Sequence, residues 1–205
     1  MRLILVRHGA TENLKYNGVT DVPLSRNGYL QAELIKRRLE KEPIRKIYTS
    51  DLSRAVETAK TINLPHGVEI EIEPDLREIN FGLWEGLSFP EISTRYKEQF
   101  GMWMKETIDF RFPEGGTLGE VRRRVIKVLT RIKMEQKGKD VAIVGHGGPI
   151  KIMLCEVLNL DLANFWKISL DRGSVSLVEL GEESQMVSLM NDTCHLTPPF
   201  PGGGE

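Results

Sequence analysis

Five side chains with the means for one reaction stand where predicted strands end and predicted helices begin. Arg7-His8-Gly9 follows the apolar run Leu3-Ile4-Leu5-Val6, which puts an imidazole and a guanidinium at the end of a buried strand. His146 follows a second such run, Val141-Ala142-Ile143-Val144-Gly145, and precedes Gly147 and Gly148. Two strand-end histidines trailed by glycines point to one site assembled from distant segments. Arg54 lies just past a strand predicted over 45–49, in the first turn of a helix. The helix macrodipole disfavours a cation there, so an anion in front of it is the better explanation. Glu78 follows a strand predicted over 68–72 and adds a carboxylate. In open α/β sheets, ligands collect beyond the carboxyl ends of strands at a topological switch point. Each residue alone has a plainer explanation: a structural histidine, a surface ion pair, a solvated loop acid.

The elements that must position them are set by pattern. A strand over 2–7 leads to an amphipathic helix over 26–41, with Ser25 placed to cap it. Ser50 is placed to cap a helix over 51–62, and residues 68–72 alternate apolar and acidic as a half-exposed strand would. From 74 to 116, proline and glycine punctuate a looser stretch around one aromatic-rich helix over 89–105. This stretch reads as an insertion over the strand ends. Thr117 and Glu120 have capping-box spacing for a helix reaching 136. Pro149 suits the first turn of a helix that ends near 158. Residues 166–170, 174–180 and 185–190 read as short strands that add an antiparallel edge. The expected fold class is α/β: a three-layer αβα sandwich with a mostly parallel central sheet, an antiparallel edge and a helical insertion over the active site. Residues 1–196 are expected to form a single domain, and 197–205 a flexible tail.

Composition narrows the functional classes. Of 205 residues, 40% are hydrophobic and 28% charged, with a formal net charge of -1, so no global basic field favours nucleic acid or acidic lipid. No segment approaches the ~20 apolar residues of a membrane span, and a cytoplasmic location is the natural expectation. Arg122-Arg123-Arg124 reads as a solvated helix face, and His66 as an exposed turn residue. Cys155 and Cys194 lack metal or redox spacing.

Four segments together carry a family resemblance. Arg7-His8-Gly9-Ala10-Thr11, Ser50-Asp51-Leu52-Ser53-Arg54-Ala55, Leu76-Arg77-Glu78 with Phe81-Gly82-Leu83-Trp84-Glu85-Gly86, and Gly145-His146-Gly147-Gly148 resemble the histidine phosphatase superfamily, the phosphoglycerate mutase-like enzymes. The resemblance implies a metal-independent phosphomonoester hydrolase. His8 would attack phosphorus and form a phosphohistidine, its ring held neutral by repulsion from Arg7 and Arg54. Arg7, Arg54 and His146 would surround the phosphoryl oxygens, and phosphoryl transfer depends mainly on such positioning and charge. Glu78 would protonate the leaving alkoxide and then help activate water. Thr11, Asn13, Gly147 and Trp84 join the expected substrate contacts. The partner would be a small-molecule phosphomonoester, with no cofactor, metal, nucleic acid or membrane; a homodimer is left open.

The match also departs from the family. The asparagine that many members carry six residues after the nucleophile is Leu14 here, with Asn13 and Asn17 nearby. The Gly-Glu-Ser run before the long helix is Gly115-Gly116-Thr117. Ile79-Asn80-Phe81-Gly82 differs from the Arg-His-Tyr-Gly run of the mutases. Asn191-Asp192-Thr193-Cys194-His195-Leu196 resembles the ending of alpha-ribazole phosphatases, which implies hydrolysis of alpha-ribazole 5′-phosphate in cobalamin nucleotide-loop assembly. Trp84 and its aromatic neighbours could then stack on benzimidazole. Open alternatives are a broad-specificity phosphatase (sugar phosphates, phosphoserine, nucleotides), a phosphoglycerate mutase, or a non-catalytic binder of a phosphorylated ligand.

Overall fold

Strands buried on both faces form the centre of the molecule. The computed structural model describes residues 1–12, 15–106, 108–181 and 184–196. β1 (Arg2–Arg7), β2 (Lys46–Thr49), β3 (Ile70–Ile72) and β4 (Val141–Gly145) run parallel; β5 (Val175–Leu180) and β6 (Gln185–Asp192) add an antiparallel edge, in the order β3-β2-β4-β1-β5-β6. Alternation sends Leu3 and Leu5 to one hydrophobic cluster and Ile4 and Val6 to the other. Helices α1 (Arg26–Leu39) and α2 (Ser53–Asn63) cover the second face, through Ile35, Leu39, Ala59 and Ile62. Helices α5 (Leu118–Glu135) and α6 (Gly147–Val157) cover the first, together with the insertion. The three-layer α/β architecture expected from the sequence is therefore present.

The topology creates the crevice. β1 and β4 are neighbours, yet the chain leaves β1 through α1 toward β2 and leaves β4 through α6 toward β5. Because α1 and α6 lie on opposite faces, they part at the carboxyl ends of β1 and β4, which is where an α/β sheet receives a ligand.

Several local expectations change. Ser50 does not cap α2: its hydroxyl accepts from Leu52 N at 3.3 Å, and the helix begins at Ser53, where Asp21 reaches across from another loop. The helix expected over 89–105 is two helices, α3 (Phe89–Arg95) and α4 (Lys97–Lys105). They break at Tyr96, whose ring packs 6.0 Å from that of Trp84, so tertiary packing overrides the helical pattern. Residues 166–170 are not a strand: Leu162–Lys167 is a 3-10 helix, and the following loop turns toward the crevice. His66 is half-buried rather than exposed. Arg122 and Arg123 are solvated as expected, but Arg124 is turned inward. Asn13 and the tail 197–205 lie outside the described residues.

Candidate active site

The parallel register sets the two histidines side by side. β1 pairs Arg7 with Gly145 of β4, so the next residue on each strand is a histidine. His8 N donates to the Gly145 carbonyl at 2.9 Å, and the rings meet edge to face with centroids 5.1 Å apart. His8 is 5% exposed and His146 is fully buried. Nδ1 of His8 lies 2.7 Å from the Gly9 carbonyl. A carbonyl can only accept, so Nδ1 carries the proton and Nε2 of the neutral ring keeps its lone pair.

Burial pushes His8 well below the ordinary imidazole value, and the charges of Arg7 and Arg54 push it further. Charge repulsion was the sequence-based reason for a neutral ring; desolvation is the larger cause. His146 is depressed in the same way, by burial first and then by His8 and Arg54. Neither ring nitrogen of His146 has a hydrogen-bond partner among the described residues. Burying a polar nitrogen without a partner costs about 1–3 kcal/mol, which a ligand accepting or donating there would recover.

Each cation is fixed by main-chain carbonyls. Arg54 is 1% exposed; Nη1 donates to Thr20 O at 2.9 Å and Nη2 to Gly18 O at 2.6 Å. Asp21 Oδ1 accepts from Ser53 N at 2.8 Å and from the Ser53 hydroxyl at 2.7 Å. That carboxylate offsets the unfavourable placement of Arg54 in the first turn of α2. Arg7 Nη1 donates to the Leu170 carbonyl, while its Nε is buried without a partner among the described residues. Gly147 lies beneath the Arg7 guanidinium, and a Cβ there would come 3.4 Å from Cζ.

Glu78 closes the site from the insertion. Its Oε1 accepts from Ile79 N at 2.9 Å and from Gly148 N, in the first turn of α6, at 3.1 Å. The approach is possible because residue 148 is glycine: a Cβ would stand 2.2 Å from Oε1. Arg124 of α5 donates to the Glu78 carbonyl at 2.8 Å and to the Asp75 carbonyl, so it holds the segment that carries the acid.

The resulting cavity measures about 530 Å³ and is lined by Arg7, His8, Arg54 and Glu78, with Lys15, Tyr16, Asn17, Gln31, Phe81, Asp171 and Arg172. His146 is fully buried and packs against the His8 ring, behind the residues that line the cavity. Thr11 is buried and accepts from Asn17 Nδ2 at 3.2 Å, and Asn17 itself lines the cavity. Trp84 does not line it. The indole is fully buried and packs edge-on against Trp103 and Phe112, with centroids 5.4 and 5.2 Å away. The expected stacking role is therefore wrong: Trp84 is the core of the insertion, where its large apolar area is worth most. Lys15, Gln31, Asp171, Arg172 and Arg124 were missed. The Arg122–Arg124 run gave the signal for Arg124, since its third member falls on the inward stripe; the others lie in loops or on a helix surface with no sequence pattern. Among the described residues, no group of three or more His, Cys, Asp or Glu side chains is arranged to hold a metal ion.

An open α/β sheet whose crevice gathers cationic side chains around a neutral imidazole defines a class of protein that works on phosphate groups. Comparison with known proteins makes the family definite. Residues 3–193 match the model of the histidine phosphatase superfamily (branch 1), and the chain belongs to that family. It is 33% identical over 199 residues to phosphoserine phosphatase 1 of Hydrogenobacter thermophilus, covering 96% of this chain and 94% of that one. It is 27% identical to the adenosylcobalamin/alpha-ribazole phosphatase of Salmonella typhimurium, over 93% and 96% of the two chains. Among solved structures, a mutant phosphoserine phosphatase from Entamoeba histolytica, in complex with phosphoserine, superposes with a TM-score of 0.85 at 26% identity, covering 96% of this chain and 99% of that one. The protein is a phosphatase of this superfamily. No helix among the described residues is long and apolar enough to cross a membrane.

Proposed function

We propose that the chain hydrolyses small phosphomonoesters through a phosphohistidine on Nε2 of His8. The carrying observation is the 2.7 Å bond from Nδ1 of His8 to the Gly9 carbonyl, which leaves Nε2 with its lone pair in a cavity ringed by Arg7 and Arg54. In the first half-reaction Nε2 bonds to phosphorus, the ester P–O bond breaks, and Glu78 delivers a proton to the departing alkoxide. In the second, Glu78 takes a proton from water as its oxygen attacks phosphorus, the N–P bond breaks, and inorganic phosphate leaves. Arg7, Arg54 and His146 hold the phosphoryl oxygens throughout. The glycines at 147 and 148 let the guanidinium of Arg7 and the carboxylate of Glu78 approach the helix start closely.

A small, polar leaving group is favoured. Charged side chains of both signs, Lys15, Asp171 and Arg172, share the cavity, and the relatives named phosphoserine phosphatase support the same direction. Alpha-ribazole 5′-phosphate is the second reading. The likeness to the Salmonella enzyme favours it, as do Tyr16 and Phe81 on the cavity wall; the loss of Trp84 as a stacking surface weighs against it.

The test is turnover of p-nitrophenyl phosphate and phosphoserine with a chelator present, in wild type and His8→Ala, with quenched samples assayed for acid-labile protein-bound phosphate. Turnover and a labile adduct in wild type, both absent in His8→Ala, are expected. Undiminished turnover in His8→Ala would reject the mechanism.

A further inference from the structure

A carboxylate is an unfavourable neighbour for a phosphate dianion, yet Asp171 lines the cavity beside Arg172. It is also held in place. Asp171 N donates to Asn191 Oδ1 at 2.6 Å, and Asn191 Nδ2 donates to Asp171 Oδ2 at 2.9 Å. Asn191 adopts a left-handed backbone, φ 54°, at the end of β6, where its own N–H donates to the Ser176 hydroxyl at 3.0 Å. An exposed aspartate ordinarily keeps its rotamer freedom. Fixing this one uses a reciprocal pair of hydrogen bonds and a residue in a conformation that non-glycine side chains seldom adopt.

The loop is also tied to the proposed nucleophile. Gly173 N donates to the carbonyls of His8 at 3.0 Å and Arg7 at 3.2 Å. Gly173 O lies 3.0 Å from Nε2 of His195, and the Leu170 carbonyl receives Arg7. The C-terminal run from Asn191 to His195 therefore braces a loop that sets one carboxylate and one guanidinium on the cavity wall. Arg172 is half-buried, and its charge reaches His8. A guanidinium can take a carboxylate through two parallel hydrogen bonds, and a fixed carboxylate suits an ammonium.

Resting on the hydrolase reading above, we propose that Arg172 and Asp171 select a zwitterionic leaving group, an α-amino acid esterified through its hydroxyl. Arg172 takes its carboxylate and Asp171 its ammonium. Of the other charged groups on the cavity wall, Arg7 and Arg54 go to the phosphoryl oxygens, and Lys15 and Glu78 face the ester end.

Four esters of similar size separate the charges: phosphoserine carries both, phosphoethanolamine only the ammonium, 3-phosphoglycerate only the carboxylate, and glycerol 3-phosphate neither. In wild type, kcat/KM for phosphoserine should exceed each of the other three by roughly tenfold or more, because a charged group left unpaired in such a site is penalised. In Arg172→Met the phosphoserine-to-phosphoethanolamine ratio should collapse. In Asp171→Asn the phosphoserine-to-3-phosphoglycerate ratio should collapse, and Asn191→Ala, which releases Asp171, should lower the same ratio. A wild-type profile flat across the four esters overturns the proposal even where a variant fails to fold, as do ratios unchanged in the folded variants. Those outcomes leave the phosphohistidine mechanism standing provided His8→Ala remains inactive. Turnover that persists in His8→Ala defeats the mechanism and this proposal with it.

Discussion

Gly148→Ala should disable the proposed acid while leaving the fold nearly intact. The new Cβ would stand 2.2 Å from Oε1 of Glu78 and 3.0 Å from Cγ1 of Ile79. The carboxylate must retreat by roughly 1.2 Å to restore ordinary contact. It is the far end of a flexible side chain, so moving it costs little stability, and Tm should fall by no more than about 4 °C, equivalent to ~1 kcal/mol for a chain of this size. Catalysis is less forgiving: a misplacement of about 1 Å is worth on the order of 10²-fold in rate. With phosphoserine, whose alkoxide leaves poorly without a proton, single-turnover ester cleavage should slow by about that factor. With p-nitrophenyl phosphate the phenolate leaves without help, so the burst of nitrophenol should survive while steady turnover slows, because Glu78 must still activate water. Stopped-flow bursts alongside a melting curve read all three. Unchanged cleavage of phosphoserine in a folded Gly148→Ala protein would refute Glu78 as the proton donor. Equal slowing of both bursts would refute the division of its two roles.

Arg124→Met removes the donors to the Glu78 and Asp75 carbonyls, so kcat should fall by about tenfold, a few tenths of an ångström of misplacement on the same scale, while KM stays nearly constant. A rise in KM with unchanged kcat would place Arg124 in substrate binding instead. Gly28→Ala puts a Cβ 2.0 Å from the Ala10 carbonyl, backbone against backbone, so overpacking of about 1–3 kcal/mol should lower Tm by roughly 2–12 °C; an unchanged melting curve would show that α1 can shift without cost. His8 and His146 are both held below their ordinary value of 6.5 mainly by burial, so below that pH the unfolded chain binds protons that the folded chain refuses. Stability should therefore be full above pH 6.5 and fall as pH drops below it, by up to about 1.4 kcal/mol per pH unit for each imidazole. Urea midpoints between pH 7 and pH 5 check this, and His146→Asn should flatten the slope.

Features governed by local backbone pattern were legible in the sequence. Apolar runs at 3–6 and 141–145 predicted two buried strands, and the residues after them had to emerge at strand ends whichever way the strands paired. The capping box at Thr117 and Glu120 and the Ser25 cap were equally local, and both form. The features that escaped depend on contacts between distant segments. Asp21 caps α2 from another loop, Arg124 reaches the Glu78 carbonyl across 46 residues, and Asn191 fixes Asp171 across 20. Trp84 was misplaced for the same reason. An aromatic in a glycine-rich stretch carries no label saying whether it faces a ligand or a shell of other rings, and only the packing of Tyr96, Phe100, Trp103, Phe110 and Phe112 around it decides.

The crevice is also the least satisfied part of the described molecule. Among its buried side-chain polar atoms without partners are both nitrogens of His146 and Nε of Arg7, and Arg7, Arg54 and Arg172 repel one another there. Such a cluster lowers stability when considered as structure alone, since each unpaired buried donor or acceptor costs on the order of 1–3 kcal/mol. The surrounding chain nevertheless fixes it from every side, with carbonyls on Arg7 and Arg54, glycines under Arg7 and Glu78, and a parallel register that forces the two rings together. A tetrahedral dianion would supply acceptors for Nε of Arg7 and for the one protonated nitrogen of His146, and would offset the repulsion among the guanidinium groups. On the proposed mechanism these unpaired donors are a preformed complement to a phosphoryl group, because the protein bears the cost of orienting them before the ligand arrives.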